Sequence, residues 1–275
     1  RTALTMLGMI IGVAAVIAMV ALGVGAQEGI EASIQSAGTN LITVYAGSFS
    51  MGGQRQGAGA AITLSLEDAV AIRDEVPGIQ YMSVGVRSQQ PVVVSGQNWR
   101  TNISGVDIEW PQIRSWPIKY GSFFSQQDVS ASAKVAVLGT TVATNLFGED
   151  ADPSGEIIRV KDQPFKVIGV MTGKGATTSG ENLDDSILIP YTTCMKKLMG
   201  TQNIQNMTIS AASADEVALV KDRVSTVLRM RHRIFPGDTD DFMLFTADEI
   251  MAMRTETTRT MTALLSGIAG VSLLV

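Results

Sequence analysis

The chain has 275 residues, 45% of them apolar and 17% charged, with a mean hydropathy of +0.22 and a formal net charge of −5. A negative balance without a basic cluster argues against a nucleic-acid partner. The single cysteine, Cys194, excludes an intramolecular disulfide, and the single histidine, His232, excludes a multi-histidine metal centre.

The apolar excess is local. Residues 3–26 contain no charged side chain, and as a helix they would extend ~36 Å against a hydrocarbon core of ~30 Å. They are predicted to span a membrane. A cleaved signal peptide is the competing reading, but its apolar region is shorter and is not followed by an amphipathic helix. Gly8 and Gly12 form a GxxxG spacing that suits close helix packing. Arg1, the only charge before the span, favours a cytoplasmic N-terminus with residues 27–259 outside. Beyond Gln27 the polar residues Glu28, Glu31 and Gln35 alternate with Ile30 and Ile34, which predicts that the helix continues out of the membrane as an amphipathic stalk to about Gly38.

Residues 40–45 read as a strand and the glycine-rich stretch 47–61 as a loop. Ser65 and Asp68 form a capping box before a short helix whose apolar face is Leu66, Ala69, Ile72 and Val76, ended by Pro77-Gly78. Strands are predicted at 80–86, 91–95 and 101–106, with residues 95–98 as a turn. Further short strands are expected at 134–138, 156–160, 165–171 and 187–189, with a hairpin connection at 161–164, a helix at 140–147 and a polar loop at 173–186. After Pro190 come a helix at 191–199, a strand at 206–211 and a helix opened by a second capping box, Ser213 with Glu216. The stripe of this helix is Val217, Val220, Val224, Val227 and Leu228. A last strand at 241–245 leads to Thr246 and Glu249, which cap a helix predicted to run through Arg259 into a second apolar segment, residues 260–275. At ~24 Å that segment falls short of a full crossing. The expectation is therefore a piece of a longer protein whose second span is truncated.

Catalytic patterns are sparse. The spacing around Gly23, Gly25 and Gly29 is GxGxxxG after a membrane helix, which does not fit a nucleotide fingerprint, and neither a Walker A motif nor a GxSxG elbow occurs. His232, among Arg229, Arg231 and Arg233 past a helix end, reads as a solvated residue. Glu181, Asp184 and Asp185 read as solvated surface, Cys194 as a small buried apolar residue, and Trp99, Trp110 and Trp116 as core anchors. The chain is expected to be no enzyme and to hold neither a metal nor a cofactor of its own.

Several runs together resemble the MacB-type, FtsX-like permeases of ABC transporters. They are RTALTMLGMIIGVAAVIAMVALGVGAQ (1–27), NLITVYAG (40–47), GVDIEWPQIRSWPIKYGSFFSQQDV (105–129), AKVAVLGTTVATNLFG (133–148), PFKVIGVM (164–171) and RTMTALLSGIAGVSLLV (259–275). The resemblance implies an α+β, two-lobed periplasmic domain in which a split α/β lobe carries an inserted β-rich lobe, standing on a stalk that continues from transmembrane helices. The implied division is 1–37 for the first span and stalk, 38–88 and 191–246 for the α/β lobe, 89–190 for the inserted lobe, and 247–275 for the second stalk and span. It also implies a multi-pass protein of the bacterial inner membrane, in contact with lipid and dimeric. ATP and Mg²⁺ would act at an associated ATPase domain or subunit, with a periplasmic adaptor and an outer-membrane channel as partners. In the exporter reading Ile30 and Ile34 make stalk contacts and Gly8 and Gly12 a helix-packing face. The alternative is an FtsX-like sensor or regulator that controls a periplasmic partner without transport.

Overall fold

In the computed structural model the described residues are 40–47, 63–94, 96–175 and 182–274. Gly8, Gly12, Ile30, Ile34, Glu181 and nearly all of the glycine-rich stretch lie outside them.

Strand β1 (Leu41–Ala46) is followed by helix α1 (Leu66–Glu75). The predicted box starts α1: the Asp68 backbone N–H donates to Ser65 Oγ at 3.2 Å, and the Ser65 N–H donates to Asp68 Oδ2 at 2.9 Å. Strand β2 (Ile79–Val94) is one continuous strand where the sequence predicts two. Its polar middle stays extended because β3 (Gln97–Val106) pairs with it from Val86↔Gly105 to Val94↔Gln97. Gln97 and Asn98, expected in the turn, therefore already belong to the strand, and Gly96 at φ +85° closes the hairpin. Pro91 is accommodated where β2 has β3 as its single partner, the setting in which a strand tolerates proline.

Three short elements were not anticipated: α2 (Trp110–Ile113), β4 (Ile118–Gly121) and α3 (Gln126–Ala131). Helix α3 begins with a further capping box, Ser125 with Asp128. Then β5 (Val135–Leu138), α4 (Thr140–Phe147), β6 (Ile157–Val160) and β7 (Gln163–Met171) fall within a residue or two of their predicted places. Lys161 and Asp162, at φ +44° and +64°, make the two-residue turn between β6 and β7, with the positive φ pair that matches strand twist. After β8 (Ser186–Pro190), α5 (Tyr191–Thr193) widens into a π-helical turn, Cys194–Met199. Strand β9 (Asn206–Ala211) precedes α6 (Val217–Arg231). The predicted Ser213–Glu216 box does not form. The chain enters α6 through a tighter turn (Ala214–Glu216) in which Ser213 makes no side-chain cap bond, and one carboxylate oxygen of Glu216 is buried without a hydrogen-bond partner. Strand β10 (Phe242–Thr246) passes directly into α7 (Ala247–Leu274).

Strand pairing divides the sheet into two parts. In the first, the order is β10-β1-β9-β2 with every neighbouring pair antiparallel. With α1 between β1 and β2 and α6 between β9 and β10, this is the split βαβ arrangement of ferredoxin-like sheets. In the second, β2 pairs with β3, β3 with β8, β8 with β5, β5 with β7, β7 with β6, and β6 again with β2. These six strands therefore close a barrel, inserted in the chain between β2 and β9. Strand β2 belongs to both parts, pairing with β9 from Ile79 to Gly85 and with β3 from Val86 onward.

One apolar cluster runs through both parts, from Ile42, Ile72, Val224 and Leu228 to Ile103, Phe165 and Ile187 in the barrel. A second cluster, including Val106, Trp116, Phe124, Val129 and Met171, covers the barrel beneath α3. At the seam Gly105 faces the π-helical turn: a Cβ there would stand 2.5 Å from Cys194 Cβ and 3.0 Å from Tyr191 Cα. We expect Gly105→Ala to destabilise the fold by about 1–3 kcal/mol through overpacking, read as a lower denaturant midpoint at unchanged slope. An unchanged midpoint would mean that this seam is not tightly packed.

Candidate functional site

The residues with chemistry to offer are used structurally. His232 is not solvated as predicted: its side chain is 9% exposed and lies between two carboxylates, with Nδ1 2.7 Å from Asp241 Oδ1 and Nε2 3.2 Å from Asp68 Oδ2. The two contacts leave opposite edges of the ring, so the three side chains do not converge on one point as metal ligands must. Among the described residues no group of His, Cys, Asp and Glu is placed to hold a metal ion. Asp184, also predicted to be solvated, is buried because its carboxylate accepts the backbone N–H groups of Lys174 and Gly175, each at 2.8 Å. Asp185 accepts the indole N–H of Trp99 at 2.7 Å. These acids tie the loop after β7 to the barrel, a role that composition alone does not reveal.

Cys194 is fully buried, in keeping with its reading as an apolar residue, and burial pushes its thiol up to about 11. It is therefore not a thiolate at neutral pH. Trp116 is buried in the second cluster and donates to Thr172 O at 2.6 Å, while Trp99 and Trp110 pack against the two clusters from partly exposed positions.

The feature that points to function is the end of the sheet at which the chain enters and leaves. Strand β1 begins just after Asn40 and β10 ends at Thr246, and the two strands are antiparallel neighbours with Ile42 opposite Thr246. Residue 40 and the start of α7 therefore lie side by side. The entry is tied to β9, because Asn40 Nδ2 donates to Ala211 O and to Ser210 Oγ, and Ala211 N donates to Asn40 O at 2.9 Å. The exit is tied to α6. Glu249 accepts from the Thr246 N–H at 2.9 Å while Thr246 Oγ1 accepts from Glu249 N at 3.1 Å, completing the predicted capping box. Lys221 on α6 donates to both oxygens of Glu249 at 2.5 and 2.7 Å. Lys221 and the Thr246 amide hold the Glu249 carboxyl below the usual carboxylate range. Its contribution is present at neutral pH and fades as pH falls through the lowered value. The side chain is 47% exposed, so the ion pair itself is worth less than about 1 kcal/mol.

From this end β2 runs outward. Ile79 lies beside Ala211, and the strand then continues for sixteen residues into the far side of the barrel, a reach of about 50 Å. Where it crosses from one part to the other it is braced on both sides. Arg73 on α1 donates to both Glu109 oxygens at 3.2 and 2.7 Å, and Glu109 accepts from Met82 N at 2.8 Å. Gln205 bonds the Arg87 backbone through both ends of its amide, Arg87 N donating to Oε1 at 2.8 Å and Nε2 donating to Arg87 O at 3.2 Å.

Comparison with known proteins agrees with this architecture. The family model described as MacB-like periplasmic core domain matches residues 2–227. The chain belongs to that family. Curated relatives named macrolide export ATP-binding/permease protein MacB include one from Bdellovibrio bacteriovorus, 37% identical over all of this chain and 42% of the relative, and one from Chlorobaculum tepidum, 37% identical over 95% of this chain and 40% of the relative. The chain thus spans about two fifths of the length of these relatives. In fold it resembles the periplasmic region of MacB from Actinobacillus actinomycetemcomitans, with a TM-score of 0.67 at 21% identity over 82% of this chain and 97% of that one. It also resembles the extracellular domain of the noncanonic ABC-type transporter YknZ from Gram-positive bacteria, with a TM-score of 0.60 at 17% identity over 75% of this chain and all of that one.

Membership makes this chain one that carries a periplasmic core domain, of mixed helix and strand. Among the described residues no helix is long and apolar enough to cross a membrane. Removing the hydroxyl that caps α7, by Thr246→Ala, is expected to cost about 1 kcal/mol and to speed amide exchange in the first turn of α7. Unchanged exchange there would show that the cap does not hold this junction.

Proposed function

We propose that this chain is the first membrane-spanning and periplasmic part of a permease subunit in a MacB-like ABC exporter of the inner membrane, and that its outer domain carries mechanical work rather than chemistry. The observation that supports this best is the pairing of entry and exit on adjacent strands, with β2 leading from that end into the barrel. Two helices rising from the membrane at 1–37 and 247–275 would meet the domain at one place. Their movement would be passed as a whole-body displacement to the barrel at 89–190.

The energy would come from ATP and Mg²⁺ at an ATPase domain or subunit, the second stalk pair from a homodimeric partner in the same bilayer, and the exit route from a periplasmic adaptor and an outer-membrane channel. The names of the relatives make macrolides the first substrate class to assay. The FtsX-like regulatory alternative has no observation in its favour among these relatives, whose names are those of exporters.

The test uses full-length dimeric protein with single cysteines at Ile30 or Ile34. Crosslinking between protomers is expected to rise when nucleotide is bound and hydrolysis blocked. Equal crosslinking with and without nucleotide would remove the mechanical reading. Macrolide efflux that persists in cells lacking this gene would remove the transport reading independently.

A further inference from the structure

We propose that His232 is a pH-sensitive clamp that locks the α/β part of the domain while its ring is doubly protonated and loosens it when the ring loses a proton. The ring sits where three elements meet. From α1 it faces Asp68, which also caps that helix through Ser65; from the end of α6 it is followed by Arg233 and preceded by Arg231, whose Nε donates to Asp68 Oδ1 at 2.7 Å; from the approach to β10 it faces Asp241. Arg229 is occupied nearby by Asp240, and the Phe242 ring packs nearly perpendicular to the imidazole at 6.0 Å between ring centroids.

The geometry decides the protonation state. Each ring nitrogen faces a carboxylate oxygen, and a carboxylate can only accept. A doubly protonated imidazolium satisfies both contacts. A neutral ring keeps one N–H, so whichever tautomer it adopts, one nitrogen lone pair of this 9%-exposed side chain is turned toward a carboxylate oxygen, that of buried Asp68 or that of half-buried Asp241. Asp68 does not relieve the conflict by taking up a proton. Burial alone would raise its carboxyl, but Arg231, Ser65 and His232 outweigh burial and hold it below its ordinary value. In the same way burial alone would lower the His232 ring, and Asp241 and Asp68 outweigh it and raise it. The group is raised in the folded state, so its stabilisation is complete below the ordinary histidine value and is lost as pH rises through the raised one.

More than one residue depends on the clamp. The carbonyl of Asp241 accepts from Gly47 N at 2.9 Å and from Thr63 Oγ1 at 2.7 Å. The end of β1, the approach to α1 and the start of β10 are thus gathered at the residue that His232 holds. The same β10 passes at its other end into α7. Loosening Asp241 therefore frees the far end of the strand that bears the exit helix. This inference does not depend on the export reading, since it concerns the folded domain alone.

The sole histidine gives a single, unambiguous probe. The 275-residue chain in detergent, labelled with ¹³C,¹⁵N-histidine, would be titrated by NMR from pH 5 to 9. The ring is expected to titrate above ~6.5, the ordinary value, and the melting temperature to fall by ~2–4 °C as pH rises through the transition. In His232→Gln, which carries no titratable ring, that part of the pH dependence should disappear, and in Asp241→Asn the histidine should titrate lower. A ring that titrates at or below the ordinary value, or a wild-type melting profile parallel to that of His232→Gln, would overturn the proposal. Should either variant fail to fold, the wild-type titration and melting profile still decide it.

Discussion

Strand β2 carries two sets of backbone hydrogen bonds along one unbroken chain, to β9 as far as Gly85 and to β3 from Val86. The two ladders meet at Gly85–Val86 without overlapping, so backbone pairing alone would leave a bend open at that point. The packing opposes it. Val86, Val92, Ile103 and Phe165 are fully buried in the cluster that also contains Ile42 and Ile72, and exposing any one such side chain costs ~1.5–3 kcal/mol. Separating the two parts would expose several at once. The domain is therefore held as one stiff body, and the bidentate Arg73–Glu109 pair and the Gln205 amide brace the place where it would otherwise fold.

Stiffness gives the position of the chain's entry and exit its meaning. If residue 40 and α7 met the sheet at opposite ends, pulling on them would shear β1 past β10. They meet at the same end, on neighbouring antiparallel strands, so moving both together displaces the whole body, whereas forcing them apart loads the ladder one bond at a time from Ile42↔Thr246. The ties at that end oppose such peeling: Asn40 to β9 on one side, and the Thr246–Glu249 cap with Lys221 of α6 on the other. At the far end of β10, Asp241 and His232 hold the strand against α1 and α6.

Much of this was legible in the sequence wherever a local rule was also the global answer. The Ser65–Asp68 and Thr246–Glu249 boxes form as predicted, the stripe of α6 packs where its valines point, and the α+β order of elements stands. Failures came where tertiary pairing overrode local signs. The polar run of β2 looked like a break until β3 and the closure of the barrel kept it extended. The Ser213–Glu216 pattern meets the rule for a cap, yet the chain takes a tighter turn at Ala214–Glu216, with a Glu216 carboxylate oxygen close to where a Cβ of Gly78 would stand. His232 and Asp184 looked like surface because their partners, Asp68 some 164 residues away in sequence and the amides of Lys174 and Gly175, are brought to them only by the fold. A lone histidine beside arginines carries no local mark of a buried ion pair. The missed helix α3 did carry one, the Ser125–Asp128 box.

The central claim is that the outer domain follows its exit helix as a rigid unit. Spin labels at Met253 on α7 and at Val93 on the barrel, both exposed positions, placed in one protomer of the proposed full-length dimer, would report the distance between them by pulsed electron resonance. The account predicts the same distance distribution in the nucleotide-free and nucleotide-bound states, while labels at Val93 of the two protomers move relative to each other. A shift of several ångströms within the protomer would show that the domain bends at β2 or at the α7 junction and would contradict the account.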